Sequence, residues 1–498
     1  MIKKNTKISL KDLVSGLTEA YQPIYNHAEL SKNPSRMCQD RLDYIIEVYN
    51  ALSLKKQRPL HVLDLGAAQG YFSFSLAEVG ATVHGIDYLD ENIAVCKKLA
   101  SEYKNLDVSF QSGRIEEFIS QLEIGQYDLV LGLSVFHHIV FEQGILTVTE
   151  MLSNLANKVE VGIFEFAQSS EPLYWAEAQP DRSFDLLNGF AFVHELSQHE
   201  THLSNITRPL YFSSNHFWYL NGEMEFFDSM TLSSHNLSNN AHQETRCYYF
   251  NEDYFLKKFY LDIAELKSVN LKEWNNEIKF LDSAPSNLNV PKLILHGHNE
   301  KEAWIVRSKL SGELLLNIMQ EGGNYNQERI LEDILKQLVS FEEIGLYHND
   351  IRIWNILINS EGGASLIDFG SISPEAVDCI WPNDLFISFS IFVYELTVGI
   401  NDYSLSTRSV TASPFLLKGI YKRWMISFWM KSPSEWSFQL LYELFLKREN
   451  LIENYSESDL SLQNWLQCIE QASNKLQVYG TRVIELNQSF HHSLLNSE

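Results

Sequence analysis

A chain of 498 residues with 45% apolar and 12% aromatic side chains is too long for one ordinary domain and apolar enough to bury two substantial cores. Sixty-four acidic against 39 basic side chains leave a formal charge of −25, which repels phosphate backbones and argues against nucleic acid as a partner. The five cysteines, Cys38, Cys96, Cys247, Cys379 and Cys468, are scattered and never in the C-x-x-C spacing of a zinc or redox pair, which fits a reducing, cytoplasmic setting.

The first informative segment precedes any strand: Tyr21 in Tyr21-Gln-Pro-Ile-Tyr25-Asn-His27, then Arg36 and Arg41 in Ser35-Arg36-Met-Cys-Gln-Asp-Arg41. From Leu60 to about Tyr219, short β-type runs alternate with helical patterns, the mark of a doubly wound α/β sheet. Strands are predicted at His61 to Leu65, Thr82 to Ile86, Tyr127 to Leu131 and Glu160 to Phe164. The first empties into a small-residue turn, Asp64-Leu-Gly66-Ala-Ala68-Gln-Gly70-Tyr71, where backbone can approach a ligand closely. The second ends on Asp87, spaced to bind both ribose hydroxyls of a nucleoside. The strand leading to Leu133-Ser134-Val-Phe-His137-His138 ends over the same crevice.

Together these segments, over about residues 35 to 220, resemble the class I methyltransferases that use S-adenosylmethionine, with Ala68 in place of that family's middle glycine. The resemblance implies that Asp64, Gly66, Ala68 and Gly70 shape the pocket around the methionine part, that Asp87 holds the ribose, that Arg114 and Ile115 flank the adenine, and that Leu133 joins the cofactor wall. A nicotinamide cofactor is the rival, but no G-x-G-x-x-G is present and the turn carries Gln69. Methyl transfer is an in-line displacement at carbon, so the protein must align the nucleophile and exclude water. A phosphate oxygen is already anionic and needs donors rather than a base. Tyr21, Arg36 and Arg41 are the candidate donors, the alternative being a capping helix with solvated arginines. His138, with His137 beside it, is either a further acceptor contact or a packing residue.

Residues 231 to 245 are polar, and beyond them an antiparallel strand pattern runs to Leu310 before helical patterns take over. Leu346-Tyr-His348-Asn349-Asp350-Ile-Arg352-Ile-Trp354-Asn355 is followed by Asp368-Phe369-Gly370, so five residues separate Asp350 from Asn355 and thirteen more lead to Asp368. This spacing is similar to the catalytic loop and metal-binding strand of the protein-kinase superfamily. The resemblance implies that Asp350 orients the acceptor hydroxyl, that Arg352 is a phosphate-facing cation, and that Asn355 and Asp368 give oxygen ligands to Mg2+ on the phosphates of ATP. Lys257 or Lys258 is to grip the phosphates, and register leaves that choice open, since neighbours in a strand face opposite sides. Glu277 is the expected partner of that lysine, and Ala303 to Leu314 resembles the strand and hinge that bind adenine. Asn349 stands where the family has an arginine, and thirteen residues between Gly370 and Asp384 leave little room for a peptide platform, so the acceptor is expected to be a small molecule or sugar. The candidate phosphate-covering hairpin near 230 to 245 contains no glycine, which leaves an inactive kinase open.

The tail places Leu462, Trp465, Ile469, Ala472, Leu476, Tyr479, Val483, Leu486 and Phe490 in 3,4 alternation, either a coiled coil joining copies of the chain, as dimer or trimer, or one amphipathic helix packed back. The expected division is a methyltransferase over 1–225, a bilobal α+β kinase-like unit over 226–450, and the start of a coiled-coil helix over 451–498. This order resembles the WbdD type of bifunctional kinase/methyltransferase that terminates bacterial O-antigen polymannose. The resemblance implies a lipid-linked polymannose acceptor, phosphorylation of its terminal mannose and methylation of that phosphate. It further implies a mannosyltransferase polymerase recruited through the tail, at the inner membrane. No signal-peptide pattern and no run of about 18 apolar residues occurs, so a membrane is expected to be met peripherally. Direct methylation of a sugar hydroxyl with an inactive kinase lobe, or an assembly scaffold, are the competing readings.

Overall fold

The computed structural model describes residues 8–31, 33–238, 242, 244–286, 288–379, 382–399 and 416–451. The chain divides into two compact units, Met1–Asp228 and Ser229–Glu498. The expected heptad tail lies outside the described residues.

The first unit opens with α1 (Leu10–Ser15) and α2 (Gln39–Lys56). The alternation then runs β1 (His61–Leu65), α3 (Tyr71–Glu78), β2 (Thr82–Asp87), α4 (Asp90–Glu102), β3 (Val108–Ser112), α5 (Ile115–Gln121), β4 (Leu129–Leu133), α6 (Phe136–Gln143), α7 (Ile145–Ala156) and β5 (Val161–Glu165). Strands β6 (Phe192–His199), β7 (Arg208–Ser214), β8 (Phe217–Leu220) and β9 (Glu223–Phe226) close the unit. The main sheet has the order β3-β2-β1-β4-β5-β7-β6. β1 to β5 are parallel, and β7 runs against both β5 and β6. The interior strands are apolar on both faces, as helices covering both sides require. β4 begins and ends two residues later than predicted from the sequence. Asp128 is held outside the strand by two bonds from Arg58, at 2.7 and 2.8 Å, and one from the His61 N–H at 2.9 Å.

The reversal of strand order between β1 and β4 leaves a crevice at the carboxyl ends of the strands, where open α/β sheets bind ligands. Two turns shape it. Gly66 has φ +79°, and a Cβ there would lie 2.9 Å from Val135 Cγ2. Ser134, at the end of β4, also sits in the left-handed region at φ 54°.

The second unit starts with a five-stranded antiparallel sheet of order β10-β11-β12-β14-β13. Its strands are β10 (Ser229–Thr231), β11 (Arg246–Phe250), β12 (Tyr254–Tyr260), β13 (Leu293–His298) and β14 (Glu302–Ser308), with α8 (Ala264–Ser283) inserted after β12. The β10–β11 hairpin brackets the glycine-free segment. Short strands β15 (Glu313–Leu314), β16 (Tyr347–His348), β17 (Ile356–Ile358), β18 (Ala364–Leu366) and β19 (Ile372–Ser373) carry the motif loops. Helices α9 (Leu315–Gln320), α10 (Gln327–Glu343), α11 (Leu385–Val398), α12 (Gly419–Trp429) and α13 (Phe438–Leu446) form the rest. Helix α11, LFISFSIFVYELTV, is apolar on every side, the pattern of a helix sunk in a core, and ten of its fourteen residues are buried. Trp424 and Trp429 pack around it and satisfy their indole N–H groups on Leu441 O and Ser390 Oγ.

Candidate active sites

In the first unit one cavity of about 600 Å³ occupies the crevice. Of the residues singled out from the sequence, Tyr21, Arg36, Gly66, Ala68, Asp87, Arg114, Ile115, Leu133 and His138 line it. Asp87 is fixed by the Ala68 N–H at 2.9 Å, the Leu89 N–H at 2.9 Å and the Asn92 amide at 3.1 Å. Burial raises its pKa against these bonds, so the carboxylate is held facing the turn at a cost that a polar ligand would offset. Gln69 is locked by Gln22 and Asn92, which ties the N-terminal segment to the turn.

Two expected pocket residues stand behind it instead. Asp64 is buried and accepts the Ser73 hydroxyl at 2.6 Å, a bond that staples β1 to α3, and burial pushes its carboxyl up to about 6. Gly70 is the N-cap of α3 at φ +79°, where a Cβ would meet Cys96, Phe74 and Phe110 at 3.1 to 3.2 Å. Its role is close helix–strand packing.

The acceptor end of the cavity is built from charges that are paired before any ligand arrives. Arg36 donates to both oxygens of Glu165, at 2.7 and 2.6 Å, to Ser134 Oγ at 2.7 Å and to Glu200 O at 3.2 Å. Arg41 does not line the cavity. Its guanidinium reaches Glu165 at 3.3 Å and Met37 O at 2.8 Å and lies over the Phe72 ring, so it is a supporting residue rather than an acceptor contact. Burial opposes the Glu165 charge, but Arg41 and Arg36 together hold its pKa down at about 2. His137 and His138 pack with their rings tilted and their centroids 4.1 Å apart, against Trp175, and both are held toward the neutral form, first by burial and then by neighbouring cations. Arg114 lies at the exposed rim, paired with Glu116 and Glu142.

Sequence reasoning missed Arg208 and Glu171. They pair bidentately at 2.7 and 2.6 Å, and Arg208 also lines the cavity and reaches Ser134 Oγ at 3.3 Å. The one local signal was an arginine opening a strand whose next four residues are apolar or aromatic, Pro-Leu-Tyr-Phe.

In the second unit the choice between the two lysines is resolved by register. Lys257 in β12 projects to the side of α8 and lies 3.3 Å from Glu277 and 2.8 Å from Asp368. Lys258 points the other way and pairs with Glu302 at 2.6 Å, so it takes no part in this cluster. Asp368 adopts φ 64°, a left-handed conformation that aims its carboxylate at Lys257. Lys257, with Arg246 and Arg307 farther off, overcomes burial and drives the Asp368 pKa well below the carboxylate range.

Asn355 gives its amide hydrogens to Asp350 O at 2.9 Å and Asp350 Oδ2 at 2.7 Å, so its Oδ1 is the atom available to a cation. His348 donates through Nε2 to Ile367 O, 3.1 Å away, joining the loop of Asp350 to the strand before Asp368. The expectation that Arg352 faces phosphate is corrected. It is buried, bidentate to Asp378 at 2.8 and 2.6 Å and 3.3 Å from Asp350, so it fixes the loop's shape. Asn349 likewise serves the loop, donating to the backbone Glu375 O and to the Ser373 hydroxyl. From the glycine-free hairpin, His235 stacks on Trp354 at 4.9 Å between centroids and 20° between planes.

No three-residue cluster of His, Cys, Asp or Glu with metal-ligand geometry exists among the described residues. Asp368 and the Asn355 carboxamide nevertheless fit Mg2+, which takes one or two protein oxygens and completes its octahedron with phosphates and water.

Comparisons with known proteins agree with this two-site layout. A family model described as a methyltransferase domain matches residues 56–208. The curated O-antigen chain terminator bifunctional methyltransferase/kinase WbdD of Escherichia coli is 42% identical over 448 residues, 89% of this chain and 63% of its own length. The chain therefore spans less than two thirds of that curated relative. A solved structure of the bifunctional kinase-methyltransferase WbdD is 39% identical with a TM-score of 0.82, covering 93% of this chain and 99% of the other. Another, of WbdD with its C-terminal bundle ordered to residue 505, gives 38% identity and a TM-score of 0.86 over 98% of this chain and 99% of that one.

Proposed function

This chain belongs to the family of WbdD-type bifunctional methyltransferase/kinases, and from that premise we propose that it ends the growth of an O-antigen polysaccharide. The second unit phosphorylates the non-reducing terminal mannose of a lipid-linked polymannose chain with ATP, and the first unit methylates that phosphate from S-adenosylmethionine. A blocked hydroxyl cannot be extended, so chain length is regulated.

The observation that carries the reading is the cluster in which Lys257 meets Asp368 at 2.8 Å while Asn355 meets Asp350 at 2.7 Å. Asp350 accepts the sugar hydroxyl's proton in this reading as that oxygen attacks the terminal phosphorus. Lys257 holds the phosphates and Glu277 holds Lys257. Bound through Asn355 and Asp368, Mg2+ would neutralise charge on the phosphates. In the first unit Asp87 takes the ribose hydroxyls, Gly66 and Ala68 admit the methionine part, and the acceptor end aligns the nucleophile and excludes water. The sulfonium of S-adenosylmethionine supplies an activated methyl group.

The remaining proposals concern placement. The tail joins copies of the chain and recruits a mannosyltransferase polymerase, and the enzyme works peripherally at the inner membrane. No helix among the described residues is long and apolar enough to cross a membrane.

Labelled ATP and a short mannoside test the order of events. Phosphate incorporation should vanish in Asp350→Ala, and labelled methyl uptake should require the phosphorylated product. Methylation of the untouched mannoside without ATP would instead support the second reading, a hydroxyl methyltransferase with an inactive kinase lobe, which the glycine-free hairpin favours.

A further inference from the structure

The acceptor wall of the first unit contains three guanidiniums, Arg36, Arg41 and Arg208, against two buried carboxylates, Glu165 and Glu171. All five are linked in one network, since Ser134 Oγ touches Arg36, Arg208 and Glu165. Asp40, half-exposed, lies 3.7 Å from Arg41 and adds a third carboxylate at the edge of this network, while Arg36 and Arg208 are buried beside the pocket for a sulfonium donor. A buried guanidinium whose N–H groups are not all engaged favours an anionic ligand.

Counting donors shows which arginine meets it. A guanidinium has five N–H groups. Arg36 uses all four on its terminal nitrogens, for Ser134, Glu165 twice and Glu200 O, and Tyr21 stands against it. Arg208 uses Nε and one hydrogen of Nη2 on Glu171 and one hydrogen of Nη1 on Ser134, which leaves two N–H groups, one on each terminal nitrogen, without a protein acceptor. Its guanidinium also lies over the Trp175 ring, 5.9 Å from the centroid, so its plane is set by Glu171 on one side and the indole on another. In the same wall His137 is buried with Nδ1 lacking a partner.

We propose that Arg208, oriented by Glu171 and Ser134, is the residue that binds the anionic oxygens of the methyl acceptor and makes this site specific for a phosphate monoester over a hydroxyl. The proposal rests on the phosphate-methylation reading above and names the contact that enforces it. Two N–H groups on adjacent nitrogens match two oxygens of one phosphate. A third oxygen supplies the electron pair of the new O–C bond as the S–C bond breaks; no proton moves, and the acceptor falls from dianion to monoanion as the sulfonium becomes a neutral thioether. An uncharged hydroxyl offers these two N–H groups a single oxygen and no charge.

The test uses the full chain with methyl mannoside phosphate, the same mannoside without phosphate, and phenyl phosphate as a sugar-free probe. Arg208→Gln should weaken binding of both phosphates, titrated in the presence of S-adenosylhomocysteine, about 10- to 100-fold. S-adenosylhomocysteine affinity should stay near that of wild type although the melting temperature falls, since buried Glu171 loses its partner, and the preference for the phosphorylated over the plain mannoside should collapse. Arg208→Lys, which keeps charge without the two-pronged fork, should fall between. Unchanged KM for the phosphomannoside in a folded Arg208→Gln protein would overturn the assignment while leaving the functional reading intact. A wild-type enzyme that prefers the plain mannoside would sink the functional reading. Phenyl phosphate then decides separately whether Arg208 binds anions, and equal affinity in wild type and Arg208→Gln would overturn that too.

Discussion

Replacing either of two adjacent lysines by methionine tests the register that builds the proposed kinase site. Lys257 and Lys258 are both buried, each paired with a buried or nearly buried glutamate, so neither change is mild. Losing one partner of a buried pair costs about 3–5 kcal/mol because the other charge stays behind. For Lys257→Met, Glu277 keeps Arg307 at 3.3 Å, while Asp368 loses its direct cation, which places the expected loss near the lower end, about 3 kcal/mol. At a urea slope of about 2 kcal/mol/M that is a midpoint lowered by about 1.5 M for the second unit, with a shift of similar size for Lys258→Met. Stability alone thus does not separate the variants, and transfer of labelled phosphate, normalised to folded protein, does. Lys257→Met should lose at least about 100-fold in turnover, as when a charge-stabilising donor is removed, and Lys258→Met should retain most of it. Loss of phosphate transfer confined to Lys258→Met would refute the assignment of faces on β12.

Three further outcomes are expected in the methyltransferase unit. Asp87→Ala should weaken S-adenosylhomocysteine binding about 10- to 100-fold by calorimetry, since it removes the carboxylate and frees the turn it fixes through Ala68 and Leu89; unaltered affinity would remove Asp87 from the cofactor site. Gly66→Ala should cost about 1–3 kcal/mol in the first unit and most methyl transfer, because φ +79° and Val135 Cγ2 at 2.9 Å both oppose a Cβ, and a fully active, equally stable protein would contradict the turn geometry. The pKa of Asp64 is raised from 3.8 to about 6 in the fold, so its native proton stabilises most fully below pH 4 and that contribution is lost as pH rises to about 6. Asp64→Asn should therefore gain on wild type by up to about 3 kcal/mol between pH 4 and 6.5, in urea titrations across that range. A difference independent of pH would refute the burial argument.

The parts of both sites that were legible in the sequence are those in which contiguous residues share a turn. Asp350, Asn355 and Asp368 lie within nineteen residues of one another, and Gly66 and Ala68 lie on one loop, so spacing alone carries their geometry. Arg41 shows where that stops. It follows Arg36 by five residues, yet α2 turns its guanidinium inward over Phe72 to Glu165, and only the packing of α2 on α3 decides this. The two lysines were equivalent until α8 was seen to cover one face of β12. Arg352 looked like a phosphate-facing cation because Asp378, its partner, lies 26 residues away in an unremarkable stretch.

The acceptor end was the least legible because Arg36, Ser134, Glu165, Glu171 and Arg208 come from five separate places in the chain. Their arrangement also bears on what is methylated. A hydroxyl acceptor must lose a proton, so its enzyme needs a base whose pKa lies near the working pH. The histidines in this wall, His137 and His138, are both held below the usual imidazole range by burial and nearby cations, which makes them weak bases. Glu165, with a pKa of about 2 and fully engaged by two arginines, is weaker still. The same cations that suppress basicity are what an anionic oxygen requires, since its lone pair is already free and its charge needs a partner. One set of interactions therefore disfavours a hydroxyl nucleophile and favours a phosphate, and it does so without any group that must change protonation during transfer.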